Sequence, residues 1–81
     1  MKVKQRKGEF FISTDHGDAF LKYRIEGNKM VIYETIVPPE ERHKGIATAL
    51  TEYAFSFADK NNLSIVDECS FTTDYIKKKA S

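Results

Sequence analysis

Residues 37–47, with the sequence VPPEERHKGIA, combine the residue types that bind phosphate groups at the start of a helix. Two prolines end the preceding strand, because neither can donate a backbone hydrogen bond to a sheet. Gly45 allows a ligand to approach the backbone closely, and the first amides of the following helix have no partner inside it. These amides, the helix dipole and the basic Arg42, His43 and Lys44 together predict a pyrophosphate cradle. The same residues also fit an ordinary strand-to-helix loop whose basic side chains are only solvated.

Glu34 could act as a general base, because it lies in a predicted strand that is otherwise mostly apolar. Strict alternation places Glu34 on the same face as Met30, Ile32 and Ile36, where desolvation would raise the pKa of a carboxylate. A raised pKa would suit this carboxylate for proton abstraction. Alternatively, Glu34 points to solvent or forms an ion pair with Lys22 or Arg24 across a hairpin.

Cys69 and Tyr75 are two further candidates for chemistry. Cys69 follows a short strand and precedes a predicted helix, a position that lowers the pKa of a thiol and favours the nucleophilic thiolate. The adjacent Asp67 and Glu68 oppose this effect, and a small buried apolar residue is the alternative interpretation. Tyr75 lies one turn into that helix and could donate a proton from its hydroxyl, or it could pack in the core.

Short strands and one amphipathic helix must position these side chains. The pattern predicts strands at 9–13, 19–26 and 29–37, a helix of about 15 residues from Ile46, a strand at 63–66 and a helix at 74–79. Gly27 and Asn28 supply the positive-φ positions of a tight hairpin turn, and Asn61 and Asn62 end the first helix. The strand at 29–37 is apolar on both faces, which predicts a central, covered strand.

The predicted fold class is therefore α+β, an antiparallel β-meander followed by helix, strand and helix. The strand after the long helix returns parallel to an earlier strand through a right-handed crossover. Apolar residues recur with helical spacing along that helix at Ile46, Leu50, Tyr53, Ala54 and Phe57. Residues 1–81 form one domain, in which residues 1–7 are either a flexible arm or an edge strand.

Composition and charge exclude several classes of function. Thirteen basic and 12 acidic residues give a net charge of +1, which argues against a nucleic-acid or membrane-surface binder. The chain has one cysteine, so no internal disulfide forms, and its Cys and two His cannot supply a four-ligand metal site alone. The absence of a long apolar run predicts a cytoplasmic protein, which we expect to be a monomer.

Two motifs together resemble the GNAT N-acetyltransferase superfamily. Residues 42–47, RHKGIA, are similar to its R-x-x-G-x-G/A acetyl-CoA loop, and residues 69–76, CSFTTDYI, are similar to a C-S-Y-V-x-x-Y-I motif. The strongest resemblance is to the minimal GNAT-like family that includes the small N-acetyltransferase domain-containing proteins. The similarity extends from about Phe10 to Ile76 and implies a reduced GNAT fold.

The resemblance implies acetyl-CoA as cosubstrate and no metal. It implies that the phosphates lie at the start of the helix and that the pantetheine arm lies between two separating strands. The implied cofactor-binding residues are Ile36, Val37, Arg42, His43, Lys44, Gly45, Ile46, Ala47, Thr48, Ser70 and Phe71. Cys69 aligns with the proposed active-site cysteine of the family, and Tyr75 matches a family tyrosine near the CoA sulfur.

The chain departs from the family pattern at three places. Members often carry His-Thr where this chain has Glu34 and Thr35, which leaves Glu34 as the substitute base. His43 replaces a frequent glycine in the loop, and the common C-terminal His-Pro-Glu-Tyr is absent.

The leading functional hypothesis is an acetyl-CoA-dependent N-acetyltransferase that acts on an unidentified amine or protein acceptor. Either a base such as Glu34 activates the amine for direct attack, or the Cys69 thiolate first accepts the acetyl group. The alternatives are a non-catalytic CoA-binding or CoA-sensing module and, less strongly supported, a small protein-interaction domain.

Overall fold

Alternating apolar residues and tight turns fold the first half of the chain into an antiparallel meander. The computed structural model describes residues 2–68. Its first four strands are β1 (Lys4–Arg6), β2 (Glu9–Thr14), β3 (Gly17–Glu26) and β4 (Lys29–Ile36). Each pairs antiparallel with the next, and β1 lies at the edge of the sheet. The edge-strand interpretation of the N-terminus is therefore confirmed for Lys4–Arg6.

A two-residue turn joins β3 to β4, as the sequence predicts. Glu26 pairs with Lys29, so Gly27 and Asn28 form the turn. Only Gly27 of the two has a positive φ, 61°. The expectation that both residues adopt positive φ is therefore wrong for Asn28, and one glycine is enough to reverse the chain.

A short 3₁₀ helix (Pro39–Glu41) and a loop lead from β4 into the long helix α1 (Ile46–Lys60). The 15 residues of α1 begin and end where the sequence predicts. At its end, Asn62 adopts φ 56°, and the Leu63 amide donates to the Ala58 carbonyl at 2.8 Å. Together with the bond from the Asn62 amide to the Asp59 carbonyl, this is a Schellman motif. Asparagine therefore ends the helix through its tolerance of the left-handed conformation.

After α1 the chain enters β5 (Ser64–Asp67), which pairs parallel with β4. The strand order β1-β2-β3-β4-β5 makes one mixed sheet with α1 packed on one face. The predicted parallel return of this strand is confirmed. The predicted helix at 74–79 lies outside the described residues.

The core lies between the sheet and α1. Its buried apolar residues are Phe10, Ile12, Ala19, Leu21, Met30, Ile32, Ile46, Leu50, Ala54 and Ala58. Phe10 is its aromatic centre, with ring centroids 4.8 Å from Tyr23, 4.9 Å from Tyr53 and 5.3 Å from Phe57. Burial first, and then the neighbouring Tyr53 hydroxyl, raise the pKa of Tyr23. This packing holds α1 at a fixed position over β2 and β3.

A β-bulge in β4 changes which face its residues occupy. Lys22 pairs with Glu34, but the next residue of β3, Tyr23, pairs with Ile32, so Tyr33 is an extra residue without a counterpart. The alternation of side chains is therefore interrupted between Ile32 and Glu34. Ile32 is fully buried on the α1 side, whereas Glu34, which is 40% exposed, lies beside Lys22 on the opposite face of the sheet.

The expectation that Met30, Ile32, Glu34 and Ile36 share one face is therefore wrong. Strict alternation assumed a regular strand, and the extra residue shifts every later side chain to the other face. The expectation of a central, covered strand is confirmed for its first half, where Met30 and Ile32 are fully buried and Val31 is 2% exposed. The second half of the strand is more exposed to solvent, and Ile36 is 43% exposed.

Within residues 2–68, no helix is long and apolar enough to cross a membrane.

Candidate functional site

A groove of about 460 Å³ lies where the end of β4 faces the beginning of α1. We call it the β4–α1 groove. Its lining residues are Thr35, Ile36, Val37, Glu41, Arg42, His43, Gly45, Ile46, Ala47 and Thr48. They come from three consecutive parts of the chain, namely the last residues of β4, the connecting loop and the first turn of α1. The groove volume is within the range of small-molecule sites in proteins.

The first turn of α1 provides backbone donors to this groove. Gly45 occupies the N-cap position with φ 80° and has no side chain to cap the helix. The amides of Ile46, Ala47 and Thr48 have no intrahelical acceptor, because they precede the first i to i−4 bond. That bond joins the Ala49 amide to the Gly45 carbonyl at 3.0 Å. Three donors at the positive end of the helix dipole are suited to bind an anion.

His43 lies in the groove wall with a left-handed backbone, φ 65°. A residue with a Cβ in this conformation costs roughly 1–2 kcal/mol relative to glycine. Glycine has no such cost, which explains why glycine suits position 43. In this chain, His43 adds an imidazole beside the start of α1. The loop therefore contains two left-handed residues, His43 and Gly45.

Arg42 connects the loop to the end of β4. Its Nε atom lies 3.5 Å from the carbonyl oxygen of Val37, and its side chain is exposed. The contact is at the limit of a hydrogen bond, so the guanidinium can turn toward a ligand at small cost. Arg42 thus lies between the strand end and the helix start, within reach of both ends of the groove.

Glu41 is a groove residue that sequence reasoning missed. Its side chain is only 12% exposed, and its Oε2 atom accepts a hydrogen bond from Lys44 Nζ at 2.8 Å. The same oxygen lies 3.3 Å from Nδ1 of His16, in the turn between β2 and β3. Hydrogen bonding from Lys44 lowers the pKa of Glu41, and the His16 contact lowers it further against the opposing effect of burial. The signal available in the sequence was the i, i+3 spacing of Glu41 and Lys44.

Within residues 2–68, the described pairing of β4 with β5 extends as far as the bulge. Strand pairs between them run from Lys29 with Ser64 to Ile32 with Asp67. The Glu68 amide then donates to the Ile32 carbonyl at 2.8 Å. Beyond Ile32, among residues 2–68, β4 continues with β3 as its strand partner and β5 no longer pairs with it. The part of β4 that leads into the groove therefore lies past the last described β4–β5 pair.

Glu34 lies beside this point but is not a groove-lining residue. Its Oε1 atom is 3.9 Å from Lys22 Nζ, and the side chain is 40% exposed. The alternative interpretation, an ion pair with Lys22 across the hairpin, is therefore confirmed for this conformation. This exposure leaves the carboxylate accessible from solvent.

The structure brings together most of the predicted cofactor-binding residues. Those that line the β4–α1 groove are Ile36, Val37, Arg42, His43, Gly45, Ile46, Ala47 and Thr48. Lys44 adjoins the groove, but its ammonium is bonded to Glu41. The predicted Cys69, Ser70, Phe71 and Tyr75 lie outside the described residues. Within residues 2–68, no group of three His, Cys, Asp or Glu side chains is placed to hold a metal ion.

Comparison with known proteins agrees with this architecture. The sequence profile described as GCN5-related N-acetyl-transferase matches residues 9–81. The chain is also similar to the solution NMR structure of a GCN5-like protein from Staphylococcus aureus whose proposed activity is N-acetyl transfer. The two are 30% identical with a TM-score of 0.79, and the match covers 96% of this chain and 79% of the other.

Proposed function

Because the chain belongs to the GCN5-related N-acetyltransferase family, we propose that it binds acetyl-CoA in the β4–α1 groove and transfers the acetyl group to an amine. The observation that carries this proposal is the composition of the groove, which joins the end of β4 to the start of α1. One end offers backbone amides at a helix N-terminus, and the other offers the extended last residues of β4, past its described pairs with β5. These two ends match the anionic and the amide-containing parts of CoA.

The helix end of the groove suits the pyrophosphate. The amides of residues 46–48 point along the positive end of the helix dipole, and Arg42 and His43 add side-chain donors. Hydrogen bonds from charged donors to phosphate oxygens are stronger than those between neutral groups.

The strand end of the groove suits the pantetheine arm. Ile36 and Val37 line it, and both lie past Ile32, the last residue of β4 with a described partner on β5. Backbone groups of an extended segment can pair with the two amides of pantetheine as an added strand would. We place the acetyl thioester near this end of the groove, with Cys69 and Tyr75 as candidates for residues beside it.

The reaction forms a C–N bond and breaks the C–S bond of the thioester. The amine must lose a proton, and the leaving CoA thiolate must gain one. Glu34 is the described carboxylate that we propose as the base, directly or through water, because it is accessible and lies two residues after Ile32, the last residue of β4 with a described partner on β5. Tyr75 is our candidate for the proton donor. In the alternative route the Cys69 thiolate accepts the acetyl group first and then passes it to the amine.

A heteronuclear NMR titration of the full chain with acetyl-CoA, with CoA as comparison, tests the binding site. We expect shifts concentrated at residues 36–37 and 42–48. Arg42→Ala should weaken binding by roughly tenfold, because it removes one charge-assisted hydrogen bond. Lys60→Ala is the matched control, since Lys60 is exposed at the other end of α1. An absence of shifts at millimolar ligand would remove both the transferase and the CoA-sensor proposals.

Glu34→Gln tests the mechanism by acetyl transfer to a panel of amines and peptides. We expect turnover to fall by roughly 10²- to 10⁴-fold with acetyl-CoA binding unchanged, because the amide cannot accept the proton. Glu9→Gln is the control, since Glu9 is also an ion-paired glutamate of the same sheet. Unchanged turnover in Glu34→Gln would exclude Glu34 as the base, and an acetyl adduct on Cys69 trapped by mass spectrometry would favour the covalent route. Binding by the wild type without transfer to any acceptor would leave a CoA-sensing module.

The acceptor in this proposal is an amine or a protein amino group, and the chain acts as a cytoplasmic monomer. The 40% exposure of the Glu34 side chain suits an amine presented from solvent or on another protein.

A further inference from the structure

Glu41, which lines the groove, connects two separate parts of the chain. One carboxylate oxygen contacts Lys44 Nζ at 2.8 Å and His16 Nδ1 at 3.3 Å. His16 lies in the turn between β2 and β3, and Lys44 lies in the loop before α1. We call these three residues the Glu41 clamp. It spans 25 residues of sequence and connects the hairpin to the loop that shapes the groove.

The clamp also determines which group the Lys44 ammonium contacts. Of the three consecutive basic residues in the loop, Arg42 and His43 line the groove, whereas Lys44 does not. The Lys44 ammonium instead forms a hydrogen bond to a carboxylate that is itself a groove-lining residue. A buried carboxylate in an anion-binding wall would repel phosphate unless a cation neutralised it. Lys44 supplies that cation.

We propose that Glu41 is a positioning residue for acetyl-CoA binding and that the Lys44 side chain acts through Glu41 rather than on the phosphates. The inference rests on the proposed function. The clamp holds the loop in the conformation with left-handed His43 and Gly45, so that Arg42, His43 and the helix amides face the ligand. Lys44 contributes by holding and neutralising Glu41, and His16 holds the same carboxylate from the hairpin.

A double-mutant cycle of Glu41→Gln and Lys44→Met tests this assignment through the acetyl-CoA dissociation constant measured by NMR or calorimetry. Each single variant should weaken binding on the order of fivefold, because each releases the loop. The double variant should bind no more weakly than the more affected single variant, since both changes remove the same interaction. His16→Ala should weaken binding less and should have no further effect in the Glu41→Gln background. This third variant removes only a contact of an exposed turn and leaves the core intact.

Carboxyl-carbon NMR of Glu41 gives a second readout that loop stability alone would not change. If Lys44 stays on Glu41, the pKa of Glu41 remains below its ordinary value in the free and the acetyl-CoA-saturated protein. If Lys44 leaves for the phosphates, the pKa of Glu41 rises to its ordinary value or above on binding, which would overturn the inference. Lys44→Met should raise the pKa of Glu41 in the free protein.

The outcomes separate this inference from the proposed function. Equal losses from Lys44→Met in the wild-type and Glu41→Gln backgrounds would show a direct phosphate contact and overturn the inference alone. Binding that is unchanged or tighter in Glu41→Gln would also overturn it, because Glu41 would then only repel the ligand. A wild-type protein that does not bind acetyl-CoA would defeat the proposed function and, with it, this inference.

Discussion

Single residues around the groove have their charges set by contacts between distant parts of the chain. Glu41 stays ionised although its side chain is only 12% exposed, because Lys44 and then His16 lower its pKa. Arg24 on β3 is a comparable case, because side-chain hydrogen bonds to Glu26 and then to Glu68 raise the pKa of its guanidinium. The pKa of a carboxylate or a guanidinium therefore depends on which charged partners the fold places beside it.

Glu41 should make the stability of the protein depend on pH in acid. A carboxylate whose pKa is lowered by folding stabilises the native state above its ordinary pKa, 4.5 here, and loses that contribution as the pH falls through the lower folded value. We therefore expect Glu41→Gln to have a lower urea midpoint than the wild type at pH 7, with the difference shrinking below about pH 4.5. Urea denaturation between pH 7 and pH 3 measures this. Glu40→Gln, its exposed neighbour, should keep the wild-type profile. A difference that stays constant down to pH 3 would show that the pKa of Glu41 is not lowered.

At the scale of elements, the bulge in β4 controls the relation between the sheet and the groove. The extra residue Tyr33 lies between the segment that pairs with β5 and the segment that leads into the groove. Bulges bend a strand and increase its local twist. The bulge places Glu34 beside Lys22, on the face of the sheet opposite α1. The end of β4 beyond the bulge lines the groove together with the start of α1.

Deleting Tyr33 tests this role of the bulge. Both paired segments of β4 would keep their partners on β3, so we expect a folded protein with a regular β3–β4 ladder. Acetyl-CoA binding should fall on the order of tenfold or more, because the end of β4 would no longer diverge toward the groove. Amide NMR for fold and calorimetry for affinity measure the two effects. Tyr33→Ala keeps the extra residue and should bind as the wild type does. Wild-type affinity in the deletion variant would show that the bulge does not shape the site.

At the scale of the whole molecule, the overall charge contributes little to ligand binding, and the attraction comes from residues at the groove. The net charge is +1, so long-range attraction of an anionic ligand is weak and the basic loop at the groove must supply the attraction. The groove walls come from β4, the loop and α1, and α1 packs on a core shared with β2 and β3. Ligand binding should therefore be linked to folding of the sheet and helix together.

Acetyl-CoA should raise the melting temperature of the wild-type protein. A ligand that binds only the native state at 100 times its dissociation constant adds about 2.7 kcal/mol. For a domain of this size that corresponds to an increase of roughly 10–20 °C. Differential scanning calorimetry measures the shift, and adenosine, which has no phosphates, is the matched control. A melting temperature unchanged by saturating acetyl-CoA would contradict binding at a site built by the native fold.

Features determined by neighbouring residues were predictable from the sequence. The start of α1 after Gly45, its Schellman end at Asn62 and the turn at Gly27 depend on local backbone preferences, which consecutive residues specify. The order of meander, helix and parallel strand also follows from the periodicity of apolar residues. The resemblance carried by the motifs at residues 42–47 and 69–76 predicted the acetyltransferase family and its fold, and the comparisons confirm both.

Only the tertiary structure decided which side chains meet. The bulge at Tyr33 depends on how two strands pair, so alternation along β4 alone put Glu34 on the wrong face. The clamp joins Glu41 to His16 across 25 residues, a separation at which sequence patterns contain no information on contact. Periodicity and turn preferences act over a few residues, whereas pairing register and burial depend on the assembled sheet and helix. The sequence by itself therefore determined β2 to β5, α1 and the family, and the fold determined the groove and the charges within it.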